Sequence, residues 1–360
     1  MAAKKTKVHK PKVAMVTGAS GFIGSHVVRI LLEQGVRVRA LVRPGDPLNN
    51  LYGLDVEQIE GDLLDKGSLE RCIEGCDTLF HLAAVFAYWL PDPSVMYRVN
   101  IHGTCNLLEV ALAAGIKKVV HTSSIAAIGA TEGESLANEK TLFNDWLHAD
   151  HYVMSKYMAD LEAMRFVNRG LNLCIVNPTF PFGSNDIAPT PTGYLVQRYV
   201  SGKNPVWLPG GLNVAYVRDI ARGHVLAAEK GKAGEHYVLG GHNMTYKDFG
   251  MRICELAKTD LPKYELNPKL VSWVGKINEW ISDHITKREP LIVSKAIEYT
   301  GGKFIYFDLS KAKDELGYEV TPLETALTES VQWFLSGRDE RLALEEPLDP
   351  PIPIAKKQSA

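Results

Sequence analysis

The chain has 360 residues, of which 46% are apolar and 23% are charged, and its formal net charge is -2. This length and apolar content predict a globular protein with a sizeable core, divided into one large domain or two smaller ones. The near balance of charge argues against a nucleic-acid binder, because such proteins usually carry a strong basic excess. The five cysteines are too sparse for a disulfide framework or a paired-cysteine zinc site, so we expect no metal and a reducing, cytoplasmic location.

Both ends of the sequence are predicted to be tails. Residues 1–11 are basic and lack the apolar stretch of a secretory signal, and residues 337–360 are charged and then rich in proline. No apolar run reaches the roughly 18 residues that a membrane-spanning helix requires. We therefore expect no membrane span.

Six short β-branched or apolar runs alternate with plausible helices or turns in the first half of the chain. They are residues 12–17, 36–42, 56–60, 78–82, 118–123 and 173–177. Such alternation predicts βαβ units, and therefore an α/β fold with a Rossmann-type doubly wound parallel sheet. The first helix is the clearest, and its apolar stripe consists of Ile23, Val27, Ile30 and Leu31. Gly35 stands where a left-handed C-terminal cap is needed.

The pattern loosens after residue 180, where prolines break the chain into loops and short elements. We therefore expect the Rossmann-type domain to cover residues 12–180, with elements of 213–240 returning to it. Most of 181–336 is expected to form a smaller C-terminal α/β substrate-binding region.

A glycine-rich segment, residues 17–24, lies between the first strand and the first helix. Its three glycines allow a tight turn, close approach of a pyrophosphate and close helix packing, while the helix N-terminus offers free N–H groups to phosphates. A purely structural glycine turn is the alternative, but the position between a strand and an amphipathic helix favours a dinucleotide site. The predicted contacts with the cofactor are Gly18, Ser20, Gly21, Phe22, Ile23 and Gly24.

The ends of the next strands indicate how the rest of the cofactor binds. Arg43 ends the second strand, where an arginine accommodates a 2′-phosphate and a carboxylate would bind a 2′-hydroxyl, so NADP(H) is favoured over NAD(H). Asp62, followed by Leu63, can accept a hydrogen bond from the adenine amino group, or it only satisfies N–H groups in a turn. The small Ala83, after the fourth strand, lets the backbone lie against the cofactor.

Three further residues predict the chemistry. Tyr152 and Lys156 are four residues apart, on the same face of a helix, and Ser124 follows the fifth strand at the edge where ligands of such sheets bind. A tyrosine with an ordinary pKa of about 10 needs a nearby cation to catalyse proton transfer at neutral pH, and Lys156 supplies one. In a reduction, Tyr152 would protonate the forming alkoxide, Ser124 would hydrogen-bond the same oxygen and a nicotinamide would supply the hydride.

Together these motifs resemble those of the extended short-chain dehydrogenase/reductases, the NAD-dependent epimerase/dehydratase superfamily. The resemblance covers residues 12–336 and rests on motifs that fall in the family's order: the glycine segment, Asp62-Leu63, Asn100, Ser124, Tyr152, Lys156 and Asn177-Pro178. The stretches 91–97, 189–193 and 223–227 are most similar to the dihydroflavonol reductase-like branch, which includes bacterial proteins called hopanoid-associated sugar epimerases.

The resemblance implies a catalytic triad of Ser124, Tyr152 and Lys156. Tyr152 and Lys156 are also expected to contact the cofactor, Lys156 at the nicotinamide ribose. It places Arg43 on the 2′-phosphate and Pro178 beside the nicotinamide. The favoured function is an NADPH-dependent reductase of a ketone or aldehyde on a mainly hydrophobic substrate, which would run in reverse as an alcohol dehydrogenase.

Three alternatives stay open. A sugar epimerase or dehydratase usually has an acidic residue in the place of Arg43, and a basic residue shortly before the segment 216–219, where this chain has none. Arg218 could serve instead, although it more plausibly anchors the following helix with Asp219. A 3-beta-hydroxysteroid dehydrogenase-like enzyme is a second alternative. A non-catalytic NADP sensor is disfavoured, because both Tyr152 and Lys156 are present.

Aromatic residues after the fourth and sixth strands predict an apolar pocket for a small carbonyl or alcohol substrate, although they could equally be loop packing. The residues are Phe86, Tyr88, Phe180 and Tyr194. Apolar residues at helical spacing between 271 and 285, with Trp273 and Trp280, predict an amphipathic helix that faces the core, covers the substrate or contacts a membrane surface. We expect no nucleic-acid partner, and a homodimer is possible.

Overall fold

Seven parallel strands form the large sheet of the computed structural model, which describes residues 8–336 except 88–89, 148, 205, 268–272, 274, 278–279 and 281–300. The strands are β1 (Val13–Thr17), β2 (Arg37–Val42), β3 (Glu57–Glu60), β4 (Thr78–His81), β5 (Lys118–Thr122), β6 (Leu173–Pro178) and β10 (His236–Leu239). Their spatial order is β10-β6-β5-β4-β1-β2-β3. The six predicted strands and the doubly wound parallel sheet are thereby confirmed.

Successive residues of a strand point to opposite sides of the sheet, so both faces carry apolar side chains, and helices cover both faces. Ala14 and Val16 of β1 enter one apolar core, whereas Met15 enters another. The helices are α1 (Phe22–Glu33), α2 (Lys66–Ile73), α3 (Ser94–Tyr97), α4 (Thr104–Ala113), α5 (His151–Asn168), α6 (Pro191–Val200), α7 (Val217–Lys230), α8 (Tyr246–Ala257) and α9 (Leu323–Leu335). The first core includes residues of α1 and α7, and the second includes residues of α2, α4 and α5.

The predicted cap of α1 is confirmed. Gly35 has a φ of 75°, and its N–H donates to the Leu32 carbonyl at 2.9 Å. The Val36 N–H donates to the Leu31 carbonyl, also at 2.9 Å. This left-handed end satisfies the last carbonyls of the helix and turns the chain into β2.

A smaller sheet lies beyond β6 in the chain. Its strands are β7 (Phe180–Phe182), β9 (Gly211–Tyr216), β11 (His242–Thr245) and β13 (Phe304–Ile305). A third apolar core packs α6, α8 and α9 against it. Of the segment 213–240, α7 and β10 return to the large sheet, whereas the residues of β9 belong to the smaller one. The short strands β8 (Val206–Trp207) and β12 (Tyr264–Glu265) pair separately.

The amphipathic helix predicted near residues 271–285 falls largely outside the described residues, as do Val271, Val274, Ile281 and Ile285. Trp273, Ile277 and Trp280 are described, are helical and have exposed side chains. Within the described part of the chain, no helix is long and apolar enough to cross a membrane.

Candidate active site

The glycine-rich segment turns sharply between β1 and α1. Gly18 has a φ of 68°, and a Cβ there would lie 2.8 Å from the Ala83 nitrogen. A Cβ on Gly24 would lie 2.0 Å from the Gly18 carbonyl oxygen. Gly21 is the N-cap of α1 and has no side chain to cover the helix end. The bare helix N-terminus and the absence of Cβ atoms leave a cradle that fits a pyrophosphate, so the residues present suit a dinucleotide.

Asn50 lies in the one-turn 3₁₀ helix Asn49–Leu51 and is hydrogen-bonded to the glycine-rich loop. Its buried Nδ2 donates to the Ser20 carbonyl at 3.1 Å and to the Asn185 carbonyl at 3.2 Å. His26 Nε2 of α1 is hydrogen-bonded to the carbonyl oxygen of Ser184, the residue before Asn185, at 3.0 Å. The segment after β7 is therefore tied to the glycine loop. Sequence reasoning missed Asn50, because a single asparagine in a loop has neither periodicity nor a motif.

Replacing Asn50 with alanine removes the donor from two backbone carbonyls. We expect the free energy of unfolding to fall by about 1–3 kcal/mol. We also expect weaker NADPH binding, because the loop is held less firmly. Chemical denaturation and fluorescence titration with NADPH measure both effects, with Asn49→Ala as the matched control. Unchanged NADPH affinity in Asn50→Ala would show that Asn50 does not support the cofactor loop.

The ends of β2 and β3 lie side by side, where the Gly61 N–H donates to the Val42 carbonyl at 2.9 Å. The Arg43 side chain is about half exposed there and its guanidinium pairs with Asp46 at 2.9 Å. Asp62 Oδ1 accepts from the Leu64 N–H at 2.8 Å, which is the turn role considered as its alternative. The Leu63 side chain is buried in the core, so only its backbone can face a cofactor.

A cavity of about 300 Å³ brings the predicted catalytic residues together with the glycine loop and Pro178. Ser124, Tyr152 and Lys156 all line it. Among the described lining residues, Asp150 and Lys156 carry the charged side chains. The apolar lining consists of Phe22, Ile23, Leu82, Ala84, Phe86, Ile125, Ala126, Val153, Pro178, Phe180, Pro181 and Pro191.

Tyr152 and Ser124 line the same cavity. Burial raises the pKa of Tyr152 to about 12, although the nearby Ser124 hydroxyl opposes this shift. The Tyr152 ring meets the Phe86 ring edge to face, with centroids 4.6 Å apart. Ser124 Oγ accepts from the Ala126 N–H at 3.1 Å, which leaves its own proton to donate. At neutral pH, Tyr152 is therefore a protonated phenol beside a second hydroxyl.

Lys156 lies one turn further along α5. Its Nζ donates to the Thr122 carbonyl at 2.7 Å. Burial lowers the pKa of Lys156 to about 8, and the charge of Asp160 opposes this shift. Lys156 is therefore mainly protonated at neutral pH. Its positive charge can stabilise the phenolate form of Tyr152, one turn earlier on the helix.

Asn100 positions the helix that carries these residues. It lies in the π-helical turn Arg98–Gly103, which leads into α4. Its Oδ1 accepts from the Val85 N–H at 2.7 Å, and its Nδ2 donates to the Val85 carbonyl and to Ser155 Oγ, both at 2.9 Å. The loop that carries Phe86 is thereby fixed to α5.

The aromatic residues predicted for the pocket divide into three cases. Phe86 and Phe180 line the cavity, and Tyr88 lies outside the described residues. The structure does not bring Tyr194 to the cavity, since its side chain is 53% exposed and lies near the Arg198 guanidinium. Thr192 faces the cavity, and a helix rotates by about 200° over two residues, so Tyr194 points away.

Comparison with known proteins agrees with this architecture. Residues 14–240 match the NAD dependent epimerase/dehydratase family, and the chain belongs to it. The predicted resemblance to extended short-chain dehydrogenase/reductases is thereby confirmed. The protein is an NAD(P)-dependent enzyme that acts on CH–OH or C=O groups.

Individual relatives span nearly the whole chain. The "Putative dihydroflavonol 4-reductase" of Synechocystis sp. is 37% identical over 89% of this chain and 93% of its own. "Sterol demethylase protein B" of Methylococcus capsulatus is 30% identical over 89% of this chain and 97% of its own. The crystal structure of gox2253 is 38% identical, with a TM-score of 0.80, and the match covers 91% of this chain and 99% of that one.

Proposed function

We propose that this protein is an NADPH-dependent reductase of a ketone or aldehyde on a mainly hydrophobic substrate, and that it oxidises the alcohol in the reverse direction. One observation carries the proposal: Ser124, Tyr152 and Lys156 meet in a cavity whose other walls are mainly apolar. We also propose a reducing, cytoplasmic location, which rests on the few, unpaired-looking cysteine positions of the sequence.

The proposed mechanism assigns one task to each of these side chains. When bound, NADPH supplies a hydride for the carbonyl carbon. Tyr152 donates its proton to the carbonyl oxygen as negative charge develops there, and Ser124 donates a hydrogen bond to the same oxygen. The Lys156 cation stabilises the phenolate that remains. The apolar lining keeps water away and strengthens each of these interactions.

The charges around the cavity favour an apolar substrate over a nucleotide sugar. A sugar nucleotide carries a diphosphate, which requires basic side chains beyond Lys156. Arg218, the basic residue considered for that role, pairs with Glu329 of α9 at 3.4 Å and is not among the described lining residues. Asp219 accepts from the Thr321 N–H at 2.7 Å and so anchors α7. The reductase and sterol-related names of two relatives support the same choice.

Arg43 is proposed to select NADPH by binding its 2′-phosphate. To do so, its guanidinium must either break its ion pair with Asp46 or bind both groups at once. In Arg43→Ala, we expect the KM for NADPH to rise about tenfold, equivalent to about 1.4 kcal/mol. The KM for NADH should stay unchanged. Steady-state kinetics with both cofactors measures the difference, and Arg37→Ala, at the opposite end of β2, is the charge-matched control. Equal effects on both cofactors would refute the assignment.

A carbonyl panel tests the proposed function. Purified protein is mixed with NADPH and with aromatic ketones, aliphatic aldehydes or a steroid ketone, and the loss of NADPH absorbance is followed. In a separate incubation with NAD⁺ or NADP⁺, a UDP-hexose is supplied and its conversion is followed by chromatography. We expect NADPH oxidation with the hydrophobic carbonyls and no conversion of the UDP-hexose. Efficient conversion of the UDP-hexose, with no hydrophobic carbonyl reduced, would favour an epimerase or dehydratase.

A further inference from the structure

A buried polar cluster continues from Lys156 into the protein. Asp160 is one turn beyond Lys156 on the same face of α5, and the two residues are only 6% and 5% exposed. Asp160 Oδ2 accepts a hydrogen bond from Ser123 Oγ at 2.6 Å. The proposed reaction assigns no role to this carboxyl group, and burying an ionised carboxylate is costly unless a charge balances it.

The other oxygen of Asp160 faces His121 of β5. Asp160 Oδ1 lies 3.4 Å from His121 Nε2, and within the described residues neither atom makes a conventional hydrogen bond. Burial lowers the pKa of His121 well below its usual range, and the charge of Lys156 acts in the same direction. His121 is therefore neutral, and it does not supply the positive charge that would balance an ionised Asp160.

His81 is neutral as well, and its ring stacks on that of His121 with centroids 5.2 Å apart. Thr104 Oγ donates to the Asn100 carbonyl at 2.7 Å, so at 2.9 Å it must accept from His81 Nε2. His81 Nδ1 is then left to accept from Thr17 Oγ at 2.8 Å. Burial lowers the pKa of His81 well below its usual range.

Besides burial, the charge of Asp160 also raises the pKa of Tyr152, which is uncharged at neutral pH. His236 of β10 is a further titratable group that acts on Asp160. Its Nδ1 lies 3.1 Å from Asn177 Oδ1, and burial lowers the pKa of His236 although Asp160 opposes the shift. Burial raises the pKa of Asp160 itself, against the opposing effects of His236, Ser123 and Lys156. Lys156 is thus the cation that remains beside Asp160 at neutral pH.

We propose that Asp160 is the buried counter-ion that keeps Lys156 protonated, which makes it a positioning residue for the reaction. A buried ammonium without a balancing charge gives up its proton readily, because the uncharged amine is favoured in a low-dielectric site. Ser123 orients the carboxylate by donating to its Oδ2, and Thr122 holds the ammonium. The catalytic consequence rests on the proposed function, but the ionisation of Lys156 does not.

The direct test is a titration of Lys156 by NMR in protein labelled with ¹³C at lysine Cε, with the signal assigned by its loss in Lys156→Arg. In Asp160→Asn, we expect the titration midpoint of Lys156 to fall by about one pH unit or more. Glu162→Gln removes one negative charge from a half-buried position two residues further along the same helix, and it should leave the midpoint unchanged. An unchanged midpoint in Asp160→Asn would overturn the proposal.

A second measurement avoids dependence on that variant folding. Wild-type protein labelled with ¹³C at the aspartate carboxyl is titrated, and the Asp160 signal is assigned by its loss in Asp160→Glu. Asp160 should be ionised at neutral pH and stay ionised up to the titration midpoint of Lys156. A protonated Asp160 at neutral pH would overturn the counter-ion role.

Kinetics separate this inference from the proposed function. If a carbonyl of the panel is reduced, the alkaline limb of its kcat/KM profile should move to lower pH in Asp160→Asn, in step with the Lys156 midpoint. Turnover with an unmoved limb and midpoint would refute the counter-ion alone. A lowered midpoint without turnover of any carbonyl would refute the reductase alone.

Discussion

Replacing Tyr152 with phenylalanine is expected to lower kcat for carbonyl reduction by about 10²- to 10⁴-fold, the usual contribution of a general acid. The phenylalanine ring can keep its edge-to-face contact with Phe86, so the cavity keeps its shape. Only the hydroxyl near Ser124 is lost. This hydroxyl is one of many expected contacts with the cofactor, so NADPH affinity should change far less than kcat, and fluorescence titration of both proteins would measure it beside the kinetics.

Tyr157→Phe is the matched control for this prediction. Tyr157 lies on the same helix but packs on Phe143 and Trp146, with centroids 4.9 and 5.3 Å away, and it is not among the described residues of the cavity lining. The control should keep the wild-type kcat. If Tyr152→Phe also kept it, Tyr152 would not be the proton donor.

The second large effect is expected at Gly24. Alanine inside a helix is normally more stable than glycine by about 1 kcal/mol. Here the added Cβ would lie 2.0 Å from the Gly18 carbonyl oxygen, so the turn must open. We expect Gly24→Ala to lower the free energy of unfolding by about 3 kcal/mol and to abolish NADPH binding. Urea denaturation and NADPH titration measure the two effects.

Gly35→Ala is the control that separates the steric clash at Gly24 from the backbone cost of replacing a glycine. Gly35 lies just after the same helix and has a φ of 75°, with no atom within 4 Å of an added Cβ. The substitution should cost about 1 kcal/mol of backbone strain and leave NADPH binding intact. Wild-type NADPH affinity in Gly24→Ala would mean that this turn is not the pyrophosphate cradle.

The sequence predicts those parts of the site in which residues close together in the chain also lie close together in the structure. The glycine segment can be recognised from the sequence because its three glycines stand between a predicted strand and a predicted helix. Tyr152 and Lys156 share a helix face because of their four-residue spacing, and Ser124 follows a β-branched strand. In a doubly wound sheet, the topology itself brings such strand ends to one edge. The structure places these residues around one cavity.

Other parts depend on contacts between distant segments, which no local pattern encodes. Asn50 reaches Asn185 across 135 residues, and Asp160 meets His121 through the packing of α5 on β5. The orientation of Tyr194 depends on where α6 begins, and a shift of one residue would rotate it by about 100°. Aromatic composition alone therefore could not assign it correctly.

The fate of the hydride tests the central claim most directly. The protein is incubated with NADPH that carries deuterium at both C4 positions and with a hydrophobic ketone or aldehyde, and the product alcohol is analysed by mass spectrometry beside the yield of NADP⁺. The proposed reductase predicts one deuterium on the former carbonyl carbon and one NADP⁺ for each alcohol formed. An epimerase first takes a hydride from its substrate, which requires the oxidised cofactor, and then returns it. Epimerisation of a UDP-hexose in a parallel incubation with NAD⁺ or NADP⁺, together with no deuterated alcohol from any carbonyl, would contradict the account.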